Sequence, residues 1–264
     1  MVLKRLKSLV SGRSAPSRPQ GRVAPEPRVE TRLAPERPFV AIGDIHGCFD
    51  LMQRHYTTLR AELGEAIEVV FLGDYADRGP QSAQVLEQLF AWQSASPDTV
   101  ICLMGNHEKM LLEFIDDPAG KGLRWLVNGG RETLASYGIT LPPGQVTADD
   151  AADAADAFEA ALPDGLETWL RDLPLIWSNG NIHCVHAAMD PSKPPEAQNR
   201  RTLLWGHRDF LTTPRADGQT VVHGHTIMAE PTLGDTRISI DTGAYHSGRL
   251  TAALISPDSC EFSL

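Results

Sequence analysis

Three glycine-flanked turns constrain this chain more than any other feature: Gly43-Asp44-Ile45-His46-Gly47, Gly73-Asp74-Tyr75-Ala76-Asp77-Arg78-Gly79 and Gly105-Asn106-His107-Glu108. Each closely follows a run of apolar residues, and they recur evenly, with 30 residues from Asp44 to Asp74 and 32 from Asp74 to Asn106. A strand, a crossover helix and a return strand take about 30 residues. The three turns are therefore expected side by side at the carboxyl ends of neighbouring parallel strands, where open α/β sheets build their sites.

The rhythm around them agrees. Phe39–Gly43, Ile67–Gly73 and Thr99–Met104 read as strands, and Phe49–Leu63, Ser82–Gln93 and His107–Ile115 as helices. Residues 116–177 turn helical and loop-rich and are expected to form a cap insertion over the cleft. Thr147 with Asp150 three residues on is a capping-box start, and the acidic run 149–159 reads as the solvated face of that helix. Strand signals return at Asn181–Val185, Thr220–Val222, Arg237–Ile240 and Leu250–Ile255, separated by loops, and are expected to form a second sheet with antiparallel character. Two packed sheets with helices outside give an α/β, four-layer αββα sandwich of two mixed sheets over residues 39–264.

Charge divides the chain. Residues 1–38 carry nine Lys or Arg against three Glu, together with six prolines, and read as a basic, Pro/Arg-rich disordered tail. Taking these from the totals of 24 basic and 34 acidic residues leaves 15 against 31, a net of −16 beyond the tail. Such a body repels nucleic acid, which counts against a nuclease. No apolar run approaches the roughly 20 residues of a membrane span. Lys4, Arg5 and Lys7 interrupt any secretory signal. Cys48, Cys102, Cys184 and Cys260 show no Cys-x-x-Cys spacing and read as small buried thiols in a reducing cytoplasm.

Hydrolysis of a phosphate ester at two metals needs hard oxygen ligands, imidazoles, a bridging carboxylate and open positions. Asp44 and His46, two residues apart in an extended turn, can grip one ion. Asp74 on the next strand end has the two oxygens a bridge requires, and Asn106 can offer an amide oxygen to the second ion. Two further imidazoles are to be found among His183, His186, His223 and His225. His186 and His225 stand where strands end, whereas His183 and His223 are better placed to face away or to support the site.

These turns match, without substitution, the Gly-Asp-x-His-Gly, Gly-Asp-x-x-Asp-Arg-Gly and Gly-Asn-His-Glu signatures of the phosphoprotein phosphatases. That branch of the calcineurin-like metallophosphoesterases is resembled from about Phe39 to Ile255. Asn128-Gly129-Gly130, Leu203-Leu204-Trp205 and Val222-His223-Gly224-His225-Thr226 look like its bacterial serine/threonine phosphatase members. The resemblance implies the calcineurin-like fold, with one ion held by Asp44, His46 and Asp74 and the other by Asp74, Asn106, His186 and His225. It implies direct attack by a metal-bridging hydroxide with no phosphoenzyme, His107 protonating the leaving group, Asp77 orienting His107, and Arg78 binding phosphate. A second phosphate-binding arginine is usual, with Arg208 the candidate and Arg131 behind it; Tyr245 is a possible lining residue. The chain departs from the pattern at His186-Ala187-Ala188, where relatives carry a glycine.

Mn²⁺ is the expected metal of the pair, with Fe or Zn²⁺ also suited to these donors. The reading placed first is a phosphatase acting on phosphoserine and phosphothreonine of proteins. The alternative is symmetrical diadenosine tetraphosphate hydrolysis, a phosphorylated small molecule in place of a phosphoprotein. An inactive phosphopeptide-binding scaffold is the remote alternative, since nothing the chemistry needs is missing.

Overall fold

The computed structural model describes residues 32–263. Two five-stranded sheets form its centre. The first has the order β10-β9-β1-β2-β3, built from Phe39–Ile42 (β1), Glu68–Phe71 (β2), Val100–Cys102 (β3), Ala252–Ser256 (β9) and Ser259–Ser263 (β10). β1, β2 and β3 are parallel neighbours, as the spacing of the turns requires. The residues of β1 and β2 are buried on both faces, the mark of a parallel strand covered from two sides.

The second sheet has the order β4-β5-β6-β8-β7, from Ile176–Asn179 (β4), Ile182–Val185 (β5), Thr220–His223 (β6), Thr232–Leu233 (β7) and Arg237–Ser239 (β8). Two expectations are corrected here. The centre of this sheet, β5-β6-β8, is parallel, and only its edges β4 and β7 pair antiparallel. The strand near Leu250–Ile255 leaves it altogether: β9 pairs antiparallel with β1 of the first sheet and turns into β10. Its alternating Ala253 and Ile255 fill the space between the sheets, which a strand on either sheet can do, so its pattern alone does not choose.

The layers follow from strand alternation. Phe39, Ala41, Val70 and Leu72 face Ile182, Cys184, Val222 and Ile238 across the gap between the sheets. Val40, Ile42, Val69 and Phe71 point the other way, under the helices Phe49–Leu63 (α1), Ser82–Ala95 (α2) and Asn106–Asp116 (α3). The outer layer of the second sheet is thin, with Leu203 of the one-and-a-half-turn helix Arg200–Trp205 meeting Val185 and Val221. That helix is α8 in chain order, after Leu123–Trp125 (α4), Arg131–Ser136 (α5), Ala148–Ala161 (α6) and Leu166–Asp172 (α7); Ala244–Ser247 (α9) follows it.

The expected capping box of α6 is present, the Thr147 hydroxyl accepting from the Asp150 amide at 3.1 Å. Leu126–Glu132 of the helical insertion borders Arg78 and Tyr245, and α6 and α7 pack on α3 and α2.

Residues before Arg32, most of the expected tail, lie outside the described residues. Its last seven residues do not behave as a tail. Leu33 is buried against the sheets, the Ala34 and Glu36 amides donate to Asn181 Oδ1 (2.8 Å) and Asn179 Oδ1 (2.7 Å), and Arg37 pairs with Glu68. Residues 32–38 therefore pack with the body instead of hanging free, because two asparagine side chains, Asn179 and Asn181, satisfy this segment's backbone. Among the described residues no helix is long and apolar enough to cross a membrane.

Candidate active site

The three turns meet at one end of the β1-β2-β3 ladder, and their backbone is forced into an uncommon conformation. Among the described residues six non-glycine residues have positive φ, and five of them belong to the site: His46, Asp74, Asp77, Arg78 and His225. Such concentration of left-handed backbone is typical of sites where side-chain aim outweighs local strain. Two glycines make the close approaches possible. A Cβ on Gly105 would strike the Asp74 amide and carboxylate, and one on Gly224 would overlap the Asp44 carboxylate.

Asp74 is the centre. Its Oδ2 faces His46 Nε2 at 3.6 Å and His107 Nε2 at 3.8 Å, while Oδ1 faces His186 Nε2 at 3.3 Å and accepts the His107 amide at 3.0 Å. His46 and His186 are each pinned through Nδ1 to a backbone carbonyl, Ala76 O at 2.8 Å and Leu72 O at 3.0 Å, so each presents Nε2 to the cleft. Around His186 Nε2 gather Asn106 Oδ1 at 2.8 Å and His225 Nδ1 at 3.2 Å. Asp44 accepts the His225 amide on both oxygens at 3.1 Å, and it lies outside the two tightest groups, His46-Asp74-His107 and Asp74-His186-His225. His183 and His223 point away: the first bonds Ser178 and Gln219, the second Ser239 and the Gly224 carbonyl.

The donor set fits divalent cations. With its Nδ1 proton given to Leu72, His186 presents a lone pair to the acceptor oxygens of Asn106 and Asp74, an arrangement that a cation stabilises and that repels without one. Burial holds the His46 and His186 pKa values down to about 3 and about 4, so both rings are neutral and ready to ligate. Burial also raises the Asp44 carboxyl well above its usual range, and the charges of Asp241 and Asp74 add to the shift. Asp74 differs: the imidazoles of His186, His107, His46 and His225 overcome its burial and hold its pKa below the usual carboxylate range.

His107 and Asp77 form a buried dyad. His107 Nδ1 lies 2.6 Å from Asp77 Oδ2, and Asp77 is itself clamped by the Trp125 indole N–H (2.8 Å) and the Thr133 hydroxyl (2.6 Å). Burial works against a charge on His107, but Asp74 and Asp77 outweigh it and raise its pKa. His107 Nε2 is left facing the cleft, 3.1 Å from Arg78 Nη2, and the Arg78 guanidinium lies 4.9 Å from the Tyr245 ring.

The structure does not bring Arg208 to this cluster. Its side chain is 89% exposed and turns to its neighbour Asp209, because α8 ends at Gly206 and the following turn projects into solvent. Arg131 is also committed elsewhere, to the Pro142 and Gly144 carbonyls at 3.0 and 2.9 Å. Four residues emerge that the sequence reading did not assign. Glu108 accepts the amides of Asp74, Tyr75 and Gly105 at 2.8 to 2.9 Å and so shapes the central turn. Trp125 and Thr133 hold Asp77, and Asp241 adds a buried carboxylate after β8 whose pKa burial lifts to about 6. Glu108 stood inside a signature and was within reach; the others had no local signal. At His186-Ala187-Ala188 both alanines are buried without displacing the ligand, and the Ala187 amide donates to Leu203 O at 2.8 Å.

Comparison with known proteins places this geometry. The family model described as calcineurin-like phosphoesterase matches residues 37–229. An asymmetrical bis(5'-nucleosyl)-tetraphosphatase PrpE from Anoxybacillus flavithermus is 26% identical over 239 residues, covering 80% of this chain and 87% of the relative. Serine/threonine-protein phosphatase 1 of Salmonella typhimurium is 30% identical over 223 residues, covering 81% and 90%. The solved cold-active protein-tyrosine phosphatase of a Shewanella species superposes with a TM-score of 0.53 at 18% identity, covering 86% of this chain and 80% of that one, a likeness of fold.

Proposed function

The chain belongs to the calcineurin-like phosphoesterase family, and from that premise we propose that it cuts the phosphoanhydride of dinucleoside tetraphosphates at a two-metal centre. The observation that carries the two-metal reading is Asp74, whose two oxygens face separate imidazole groups at 3.6 and 3.3 Å. Asp44, His46 and Asp74 would hold one ion and Asp74, Asn106, His186 and His225 the other. Two divalent ions there supply Lewis acidity and bring the pKa of water toward neutrality. Oxygen and imidazole donors without a thiolate suit Mn²⁺, Fe or Zn²⁺.

The chain's own groups do the rest. Arg78 has the planar fork that matches two phosphate oxygens, and the Tyr245 ring beside it limits its swing. His107 would present a proton at Nε2 to the departing oxygen once Arg78, which donates to that nitrogen here at 3.1 Å, turns to the phosphate, while Asp77 fixes its Nδ1–H and favours the charged ring. Glu108 holds the Asp74 turn, so the carboxylate that would serve both ions is preorganised.

The similarity to PrpE proteins supports the dinucleotide substrate. A phosphoserine or phosphothreonine substrate, first in order from the signatures alone, stands second. It is favoured by the His107–Asp77 dyad, since an alkoxide leaving group needs a proton and a nucleotide phosphate does not, and by the similarity to the Salmonella phosphatase. The test is kcat/KM in Mn²⁺ buffer for diadenosine tetraphosphate and a phosphothreonine peptide side by side. A large excess for the dinucleotide upholds the proposal, with ATP and AMP against two ADP reporting the cleavage position. A large excess for the peptide replaces it with the second reading.

A further inference from the structure

Beside the metal-binding turns lies a pocket of about 490 Å³ that the site above does not use. Its rim is Lys109, Arg124, Arg200 and Arg201, and its apolar floor is Leu204 and Trp205; Glu113 is its one acid, 3.4 Å from Lys109. Four cations around one cavity are out of place on a body that carries a net charge of −16 beyond residue 38. Among the described residues neither Arg124, Arg200 nor Arg201 has a carboxylate partner within ion-pair distance. Unpaired cations gathered on such a surface repel one another and are best explained by an anion that they serve.

The floor narrows the class of anion. The Arg124 guanidinium lies 4.1 Å from the Trp205 ring centroid, closing one face of a side chain that is 36% exposed. A partly exposed indole beside cations is a surface on which a base can stack, and bases stack on indole without needing sequence-specific contacts. Arginine forks at the rim match phosphate oxygens. A merely acidic peptide would use the cations and leave the indole idle. The position is also right for the far end of a bound substrate. Lys109 is one turn along α3 from Asn106; Arg200 Nη2 touches Met104 Sδ at 3.0 Å, two residues before Asn106; and Arg124 precedes the Trp125 that holds Asp77.

We infer that this pocket binds a nucleoside phosphate, the end of a dinucleoside polyphosphate remote from the reacting phosphorus, with its base on Trp205 and its phosphates on Arg200 and Arg201. The inference rests on the dinucleotide reading of the site and extends it.

The test compares the full chain with Arg200→Ala/Arg201→Ala and Trp205→Leu variants on diadenosine tetraphosphate, a phosphothreonine peptide and p-nitrophenyl phosphate. Expected is a rise of about tenfold or more in KM for the dinucleotide, with kcat/KM for p-nitrophenyl phosphate within about twofold of wild type because that ester is too short to reach the pocket. Parallel loss on all three substrates, or no change on any, overturns the inference, and so does a KM rise confined to the peptide. If the wild type hydrolyses p-nitrophenyl phosphate but not the dinucleotide, the substrate reading fails separately. Calorimetric titration with ADP then decides the pocket: saturable binding lost in the arginine variant upholds it, and no binding overturns it.

Discussion

At the scale of single residues, the site is two sets of groups with different tasks, and substitutions should separate them. His107→Ala is expected to lower kcat on a phosphothreonine peptide about a hundredfold or more. The loss should be much smaller on p-nitrophenyl phosphate, whose leaving group departs without a proton. Equal losses on both substrates would remove His107 from the acid role. Glu108 acts on shape instead. Its carboxylate satisfies three buried amides in the turn that carries Asp74, and Glu108→Gln puts a donor where one acceptor oxygen stood. Glutamine keeps one acceptor oxygen, so only the amides on the other position lose their partner, and the change should cost about 2 kcal/mol of stability, read as a fall in Tm by calorimetry, with metal affinity falling as the Asp74 turn loosens. An unchanged Tm would mean that the turn holds without it.

At the scale of elements, strand ends decide which histidines serve the site. β6 carries His223 inward to Ser239 and the Phe210 ring, and the turn after it swings His225 to the cleft. Burial holds the His223 pKa down to about 4. In the unfolded chain the ring takes up a proton near pH ~6.5, so between these values the unfolded state binds more protons than the native one. Stability should therefore fall as pH drops from ~6.5 toward 4, by about 2 kcal/mol from this group at pH 5. Urea midpoints at pH 7 and pH 5 for wild type and His223→Gln give the check, the variant showing the shallower loss. The same slope in both would assign the acid sensitivity elsewhere.

At the scale of the whole molecule, buried carboxylates from four turns, Asp44, Asp74, Glu108 and Asp241, share one end of the sandwich and repel one another across it. Ions bound there stabilise the native state by mass action. Chelation is expected to lower Tm by several degrees with restoration by Mn²⁺, and a Tm indifferent to chelator would contradict a metal centre between the sheets. The docked segment 32–38 makes a second expectation. A chain begun at residue 39 loses the Leu33 burial and the asparagine bonds and should melt lower than one begun at residue 32. The sequence by itself determined the three turns, their parallel order and the identity of Asp44, His46, Asp74, Asn106, His107 and Arg78 as candidates, because a strand end, its glycine-bounded turn and its ligands are contiguous and their conformations are set within a few residues. Their place just past strand ends also set His186 and His225 apart from His183 and His223 as candidates. Only the tertiary structure decided that β9 joins the first sheet, that Trp125 and Thr133 clamp Asp77 across 48 and 56 residues, that Arg208 faces solvent, and that Lys109, Arg124, Arg200 and Arg201 surround one pocket. Those contacts arise where separate elements pack, and nothing within reach of any one segment specifies which distant partner will arrive.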